Sequence, residues 1–144
     1  MADVLGTSGV TANDTVQTSG GQGTRFTGSG WLNGSNFELD YGKLYKIYVA
    51  NDVTVEIQGE PSNATILSLV SGWNWIANPL TEAVTPAQLT HSGGWTAGDR
   101  IVGSGGAAVT YTGSKWIGNS GFTLLPGKGY QIFSQMAGNV TFGN

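Results

Sequence analysis

The second half of this chain repeats the first. With an offset of 85 residues, positions 86–144 align on 1–59 without a gap, and 20 of the 59 aligned positions are identical. Asp14 falls on Asp99, Ser19-Gly20-Gly21 on Ser104-Gly105-Gly106, and Thr27-Gly28-Ser29 on Thr112-Gly113-Ser114. Trp31 meets Trp116, and Gly42-Lys43-x-Tyr45-x-Ile47 meets Gly127-Lys128-x-Tyr130-x-Ile132. A duplication of this kind restricts the fold to two copies of one unit. The remainder, 60–85, precedes only the second copy and contains the most apolar run, Leu67 to Ile76. The expected organisation is a first, incomplete β repeat over 1–59, a boundary with the opening strand of the second unit over 60–85, and a second β repeat over 86–144.

Composition decides what kind of unit is repeated. Glycine supplies 24 of the 144 residues and charged residues only 10%, with Thr and Ser at many other positions. Such a chain favours short strands joined by glycine turns over helices. Five Trp, five Tyr and five Phe supply bulky side chains for a core, each worth about 1.5–3 kcal/mol when well buried. The fold expected is all-β: two tandem copies of a small antiparallel unit fused into a sandwich- or barrel-like domain, the first lacking its opening strand.

Strand signals follow the repeat. Gly20-Gly21 and Gly105-Gly106 read as hairpin turns, as do Asn33-Gly34 and its inverted copy Gly118-Asn119. Tyr45, Ile47 and Val49 alternate with Lys46 and Tyr48, and Val53, Val55 and Ile57 follow after Asn51-Asp52, a hairpin with one buried face. In the second copy Tyr130 and Ile132 precede a turn at Gly138-Asn139, then Val140 and Phe142. Glu60-Pro61-Ser62-Asn63 breaks the sheet. Leu67, Leu69, Ser71, Trp73 and Trp75 share one face of a strand. The one helical signal is a short turn within 81–90, opened by Thr85-Pro86.

Gly72-Trp73-Asn74-Trp75-Ile76, Gly98-Asp99-x-Ile101, Tyr111, Trp116-Ile117-Gly118 and Leu125-Pro126-Gly127-x-Gly129-Tyr130 follow one another along the second half of the chain. Over roughly residues 68–144 this pattern resembles a tryptophan-rich repeat of large bacterial surface and secreted proteins. The resemblance implies a non-catalytic β-module used for structure or attachment, and brings no active-site residues. The first copy departs from the pattern: Trp31-Leu32-Asn33 lacks the glycine, and Tyr41-Gly42-Lys43-Leu44-Tyr45 lacks the proline and one glycine.

Residues able to do chemistry are few. His91 is the only histidine and Cys is absent, so thiol chemistry is excluded and a serine triad would need His91. His91 reads as an exposed loop histidine between Thr90 and Ser92-Gly93-Gly94. Of nine carboxylates, only Asp14 and Asp99 recur in both copies, each where an aspartate caps a turn by accepting backbone N–H groups. No calcium-loop spacing strengthens a metal reading, and no cofactor is expected. Gly121 to Lys128 fails the phosphate-loop spacing by one residue and lacks its Ser or Thr. Repeat-matched Trp31, Trp116, Tyr45 and Tyr130 read as core pillars. Trp95, Trp73, Trp75 and Tyr48 are the candidates for a flat platform on which sugar rings stack, with Trp95, aligned on Val10 in a glycine loop, the tryptophan expected at the surface.

A net charge of −3 with six scattered basic residues offers no patch for nucleic acid or anionic lipid. Neither a signal peptide nor a run of about 18 apolar residues is visible, which predicts synthesis in the cytosol without a leader. A sheet unit short of one strand presents unpaired backbone, a template for pairing with another chain. The function expected is a non-catalytic structural protein, a virion surface component such as a capsid decoration or fibre subunit, or a surface-assembly brick. Its partners would be copies of itself or other particle or surface proteins. The alternative is a carbohydrate-binding module of a bacterial surface protein, with a glycan as partner. An enzyme ranks third.

Overall fold

The computed structural model describes residues 9–32, 39–54 and 65–143. The chain is all-β and separates into two compact units: Met1–Asp40 with Tyr45–Pro61, and Tyr41–Leu44 with Ser62–Asn144. In the first unit β1 (Thr15–Gln17), β2 (Gly23–Arg25) and β3 (Lys46–Tyr48) form an antiparallel sheet in the order β2-β1-β3. The second unit contains β4 (Ile66–Leu69), β5 (Gly72–Ala77), β6 (Leu89–His91), β7 (Arg100–Val102), β8 (Ala108–Tyr111), β9 (Trp116–Gly118), β10 (Gly129–Ser134) and β11 (Gly138–Phe142). These build a five-stranded sheet, β5-β10-β7-β8-β9, and a three-stranded sheet, β4-β11-β6. Every strand ladder is antiparallel, and neither sheet closes into a barrel among the described residues. Thr85-Pro86 does open a single helical turn, Pro86–Gln88, with Gln88 Oε1 accepting the Thr85 N–H at 2.8 Å and its hydroxyl at 2.9 Å.

Alternation explains the second unit. Leu67 and Leu69, Ile76, Leu89, Ile101, Val109, Tyr130 and Ile132, and Val140 and Phe142 point inward from the two sheets into one buried cluster. It is a sandwich-like core. The Leu67–Ile76 run, expected as one strand, bends at Val70-Ser71 and passes from the small sheet to the large one. Asn74 holds the bend: its Oδ1 accepts the Val70 N–H at 2.8 Å, and its Nδ2 donates to the carbonyls of Val70 at 2.8 Å and Gly72 at 3.0 Å. Alternation therefore changes phase, and Asn74 and Ile76 face the core while Trp73 and Trp75 face outward. The second corner lies at residues 135–137, where the chain leaves β10 for β11. Gly138-Asn139 is not the turn expected there. It begins β11, with Gly138 opposite Leu69.

The 85-residue offset holds in the backbone. Thr15 pairs with Arg25 and Tyr48 in the first unit, as Arg100 pairs with Thr110 and Phe133 in the second. Phe26 bridges to Trp31 as Tyr111 pairs with Trp116. Asn13, with φ 81°, stands where the second copy has Gly98 at φ 100°; asparagine tolerates this left-handed region better than other non-glycine residues. The Asn33-Gly34 turn, Val55 and Ile57, and the Glu60–Asn63 boundary lie outside the described residues.

One segment of the first repeat belongs to the second unit. Lys43 forms an antiparallel bridge with Ile76, and Ala77 N–H donates to Gly42 O at 2.8 Å. Tyr41 hydroxyl donates to Pro79 O at 3.1 Å. Thus β5 has β10 on one edge and the residues around Lys43 on the other. Leu44 lies where a Cβ on Gly129 would collide with it, so the glycine at 129 makes the room this edge needs.

Gly118-Asn119 is not the hairpin turn expected: Gly118 ends β9, opposite Val109, and it has little freedom there. Its φ is 141°, and an added Cβ would strike the Ala108 carbonyl oxygen. Gly118→Ala is expected to cost about 1–3 kcal/mol, the strain of a disfavoured backbone conformation. Denaturant unfolding of the variant measures it, and an unchanged midpoint would contradict the assignment.

Candidate functional site

The two repeated aspartates are buried and tied to backbone N–H groups in both units. Asp14 is 1% exposed and Asp99 fully buried. Asp14 precedes β1 and Asp99 precedes β7, and each joins two distant pieces of backbone. Asp14 Oδ2 accepts the Thr11 N–H at 2.8 Å and Oδ1 the Ala50 N–H at 2.9 Å. Asp99 Oδ2 accepts the Thr96 N–H at 2.8 Å and Oδ1 the Gln135 N–H at 2.9 Å. Ala50 and Gln135 are themselves 85 residues apart. In the first unit the Thr11 N–H, helped by the Ala50 N–H and Thr11 hydroxyl and opposed by burial, lowers the Asp14 carboxyl below its ordinary value of 3.8.

Other repeated residues also frame the units. The Tyr45 hydroxyl accepts the Asp40 N–H at 2.6 Å, as the Tyr130 hydroxyl accepts the Leu125 N–H at 2.7 Å. Thr27 donates to Gly30 O at 2.8 Å, as Thr112 donates to Lys115 O at 3.0 Å. Trp31 and Trp116 are half-buried rather than fully buried pillars; Trp31 lies against Phe26 at 5.4 Å, and Trp116 against Tyr111 at 5.3 Å. Tyr130 is buried, whereas Tyr45 is half-buried.

Two sequence expectations change in the second unit. His91 is not an exposed loop residue: it ends β6, faces inward like Leu89, and is 8% exposed. Its Nδ1 lies 2.9 Å from Gly94 O, an atom that only accepts, so Nδ1 carries the proton. Nε2 is enclosed, with no hydrogen-bond partner among the described residues. Trp95 is not the surface tryptophan: it is half-buried, donates from Nε1 to Leu89 O at 3.1 Å, stacks on His91 at 4.9 Å and meets Trp116 edge-on at 5.0 Å. The aromatic cluster of His91, Trp95 and Trp116 is packing against the core.

The surface aromatics lie elsewhere. On the outer face of the five-stranded sheet, Trp73 stands opposite Phe133 and Trp75 opposite Gln131, with Arg100 on the far side of Phe133. Trp73 is 50% exposed and meets the Phe133 ring edge-on at 5.4 Å. Tyr48, in the first unit, occupies the position equivalent to Phe133 and is 64% exposed. The structure therefore places Trp73 and Trp75 on one face, with Tyr48 in the other unit and Trp95 packed against the core. Phe133, Gln131 and Arg100 join the face only through strand register, which no single-strand pattern reveals.

Open hollows also lie on the surface of the described residues. One of about 370 Å³ lies over Gln17, Gly23, Arg25 and Leu32, and one of about 310 Å³ over Gly103, Asn119, Phe122 and Tyr130. Arg25 donates to Asn13 Oδ1 at 3.0 Å. Among the described residues no cluster of three or more His, Asp or Glu comes together, and no helix is long and apolar enough to cross a membrane. No family model, curated protein or solved structure matches the chain.

Because Asp14 has a lowered pKa, it binds its proton less readily folded than unfolded. Its contribution to stability is present above 3.8 and is lost as pH falls through the folded value. Thermal unfolding of the first unit is expected to drop below about pH 4, and Asp14→Asn to flatten that drop. In the second unit Asp99→Ala leaves the Thr96 and Gln135 N–H groups unpaired and is expected to cost about 1–3 kcal/mol. Near-ultraviolet circular dichroism of the tryptophans follows that unfolding.

Proposed function

We propose that this chain is a non-catalytic structural module that works by assembly, a virion surface component such as a capsid decoration or fibre subunit, or a brick of another surface array. The observation that carries the reading is what the duplication repeats. Asp14 and Asp99, Tyr45 and Tyr130, and Thr27 and Thr112 make the same bonds to backbone in both units. The identities between the copies thus serve a frame. The resemblance to tryptophan-rich surface repeats fits the same reading.

Carbohydrate binding is the second reading, and one observation favours it. Trp73, Trp75 and Phe133 share an outer sheet face with Gln131 and Arg100, a combination of ring faces and hydrogen-bonding groups suited to a sugar.

Analytical ultracentrifugation and electron microscopy over a range of concentrations test the first reading. Discrete oligomers or ordered particles are expected, and a strictly monomeric chain that joins no larger assembly overturns it. A glycan array tests the second: saturable binding abolished by Trp73→Ala would favour it over assembly. Trp95→Ala does not discriminate, because Trp95 supports the core.

A further inference from the structure

Strand register lines up one side chain from each of the five strands on the outer face of the large sheet. Trp73 stands opposite Phe133, Phe133 opposite Arg100, Arg100 opposite Thr110 and Thr110 opposite Ile117. The neighbouring residues Asn74, Ile132, Ile101 and Val109 are buried, so the row points away from the core. Trp73 and Ile117 are each 50% exposed, Arg100 is exposed, and Phe133 and Thr110 are half-buried. Neighbouring strands lie about 4.8 Å apart, which puts Arg100 about 10 Å from Trp73 and makes the row about 19 Å long. Arg100 is the only charged residue in the five strands. Its guanidinium, the Thr110 hydroxyl and the amide of half-buried Gln131, which shares the face two residues before Phe133, make no hydrogen bond or ion pair among the described residues.

We infer that this row binds a linear acidic polysaccharide, with a sugar carboxylate on Arg100 and the C–H faces of neighbouring sugars on the rings of Trp73 and Phe133. This deepens the carbohydrate reading and rests on it. A sugar ring is apolar on its face and hydroxylated at its rim, which suits aromatic rings flanked by an amide and a hydroxyl. A guanidinium grips a carboxylate with two parallel bonds, each stronger than a neutral one. No Asp or Glu stands in the five strands to compete for it. The occupant is a chain, because these groups spread over about 19 Å. An extended peptide suits the face less, since strand addition needs an open edge, and β10, β7 and β8 each have a strand on both sides.

The probes are oligomers of galacturonic, glucuronic, mannuronic and guluronic acid, each paired with its carboxyl-reduced neutral counterpart. They are titrated into the intact protein and followed by calorimetry and by amide chemical shifts. Saturable binding of at least one acidic oligomer is expected, with shifts centred on Trp73, Phe133, Arg100 and Thr110. Carboxyl reduction is expected to weaken it about tenfold or more, the effect of losing a charge-assisted pair. Arg100→Gln, a change at an exposed side chain, is expected to weaken the acidic oligomer equally and to leave the neutral one unchanged, a split that misfolding does not produce. Trp73→Ala is expected to weaken both. No binding of any acidic oligomer, shifts centred elsewhere, equal binding of polyglutamate, or self-association abolished by Trp73→Ala each overturns the inference. Neutral oligomers held on this face as tightly as acidic ones refute the carboxylate preference and leave the carbohydrate reading standing. Failure of every oligomer, acidic and neutral, removes both.

Discussion

A buried carboxylate that joins the entrance of a sheet to its exit is the interaction on which both units depend. Asp99 holds Thr96 just before β7 and Gln135 just after β10, so the neighbouring strands are clamped at one end by a single side chain. A carboxylate suits this task because it accepts several backbone N–H groups at once, and charge-assisted bonds of this kind are stronger than neutral ones. Burial would penalise the charge, but those bonds compensate it. Asp14 repeats the arrangement through Thr11 and Ala50. With glycine turns and few helix-forming stretches, short strands need such ties, because a ladder of three residue pairs fixes little on its own.

The same frame meets different surroundings in the two units. In the second, the corner after β10 leads into β11, and β4, β6 and β11 cover the inner face of the large sheet. That covering buries Ile76, Ile101 and Ile132 completely, each worth about 1.5–3 kcal/mol. In the first, Val16 is 1% exposed, yet Ile47, its neighbour across β1 and β3, is not buried. Burial is thus lost toward the edge where β5 has no counterpart among the described strands. The difference between the copies comes from what each sheet stands beside, since the residues Ile47 and Ile132 are identical.

This explains which parts of the structure could be read from sequence. The repeat was legible because a fixed offset brings Asp14 and Asp99, Tyr45 and Tyr130, and Trp31 and Trp116 into register. The hairpin turn at Gly20-Gly21 was legible in the same way, and Gly21 takes a positive φ, whereas Gly118 belongs to β9. The corner at Val70-Ser71 was not, because apolar alternation runs through it unbroken and only the Asn74 side chain marks the change of phase. His91 and Trp95 were misread because a glycine-rich neighbourhood suggests a loop, whereas each is covered by the other's ring and by strands far away in the chain. The outer face of Trp73, Phe133 and Arg100 depends on the pairing of β5, β10 and β7, which local pattern does not specify.

The residues Tyr41 to Leu44 make the repeats something other than beads on a string. The chain leaves the first unit after Asp40, contributes four residues to the edge of β5, and returns at Tyr45. The second unit is therefore incomplete without a segment that only the first repeat supplies, and Gly129 leaves space for Leu44 in advance. Tethering that segment at both ends raises its effective concentration at β5 far above that of a free peptide. The edge is filled from within, and a partner need not compete for it. One β5 has two edges, and the chain uses both within a single unit, β10 on one side and the residues around Lys43 on the other.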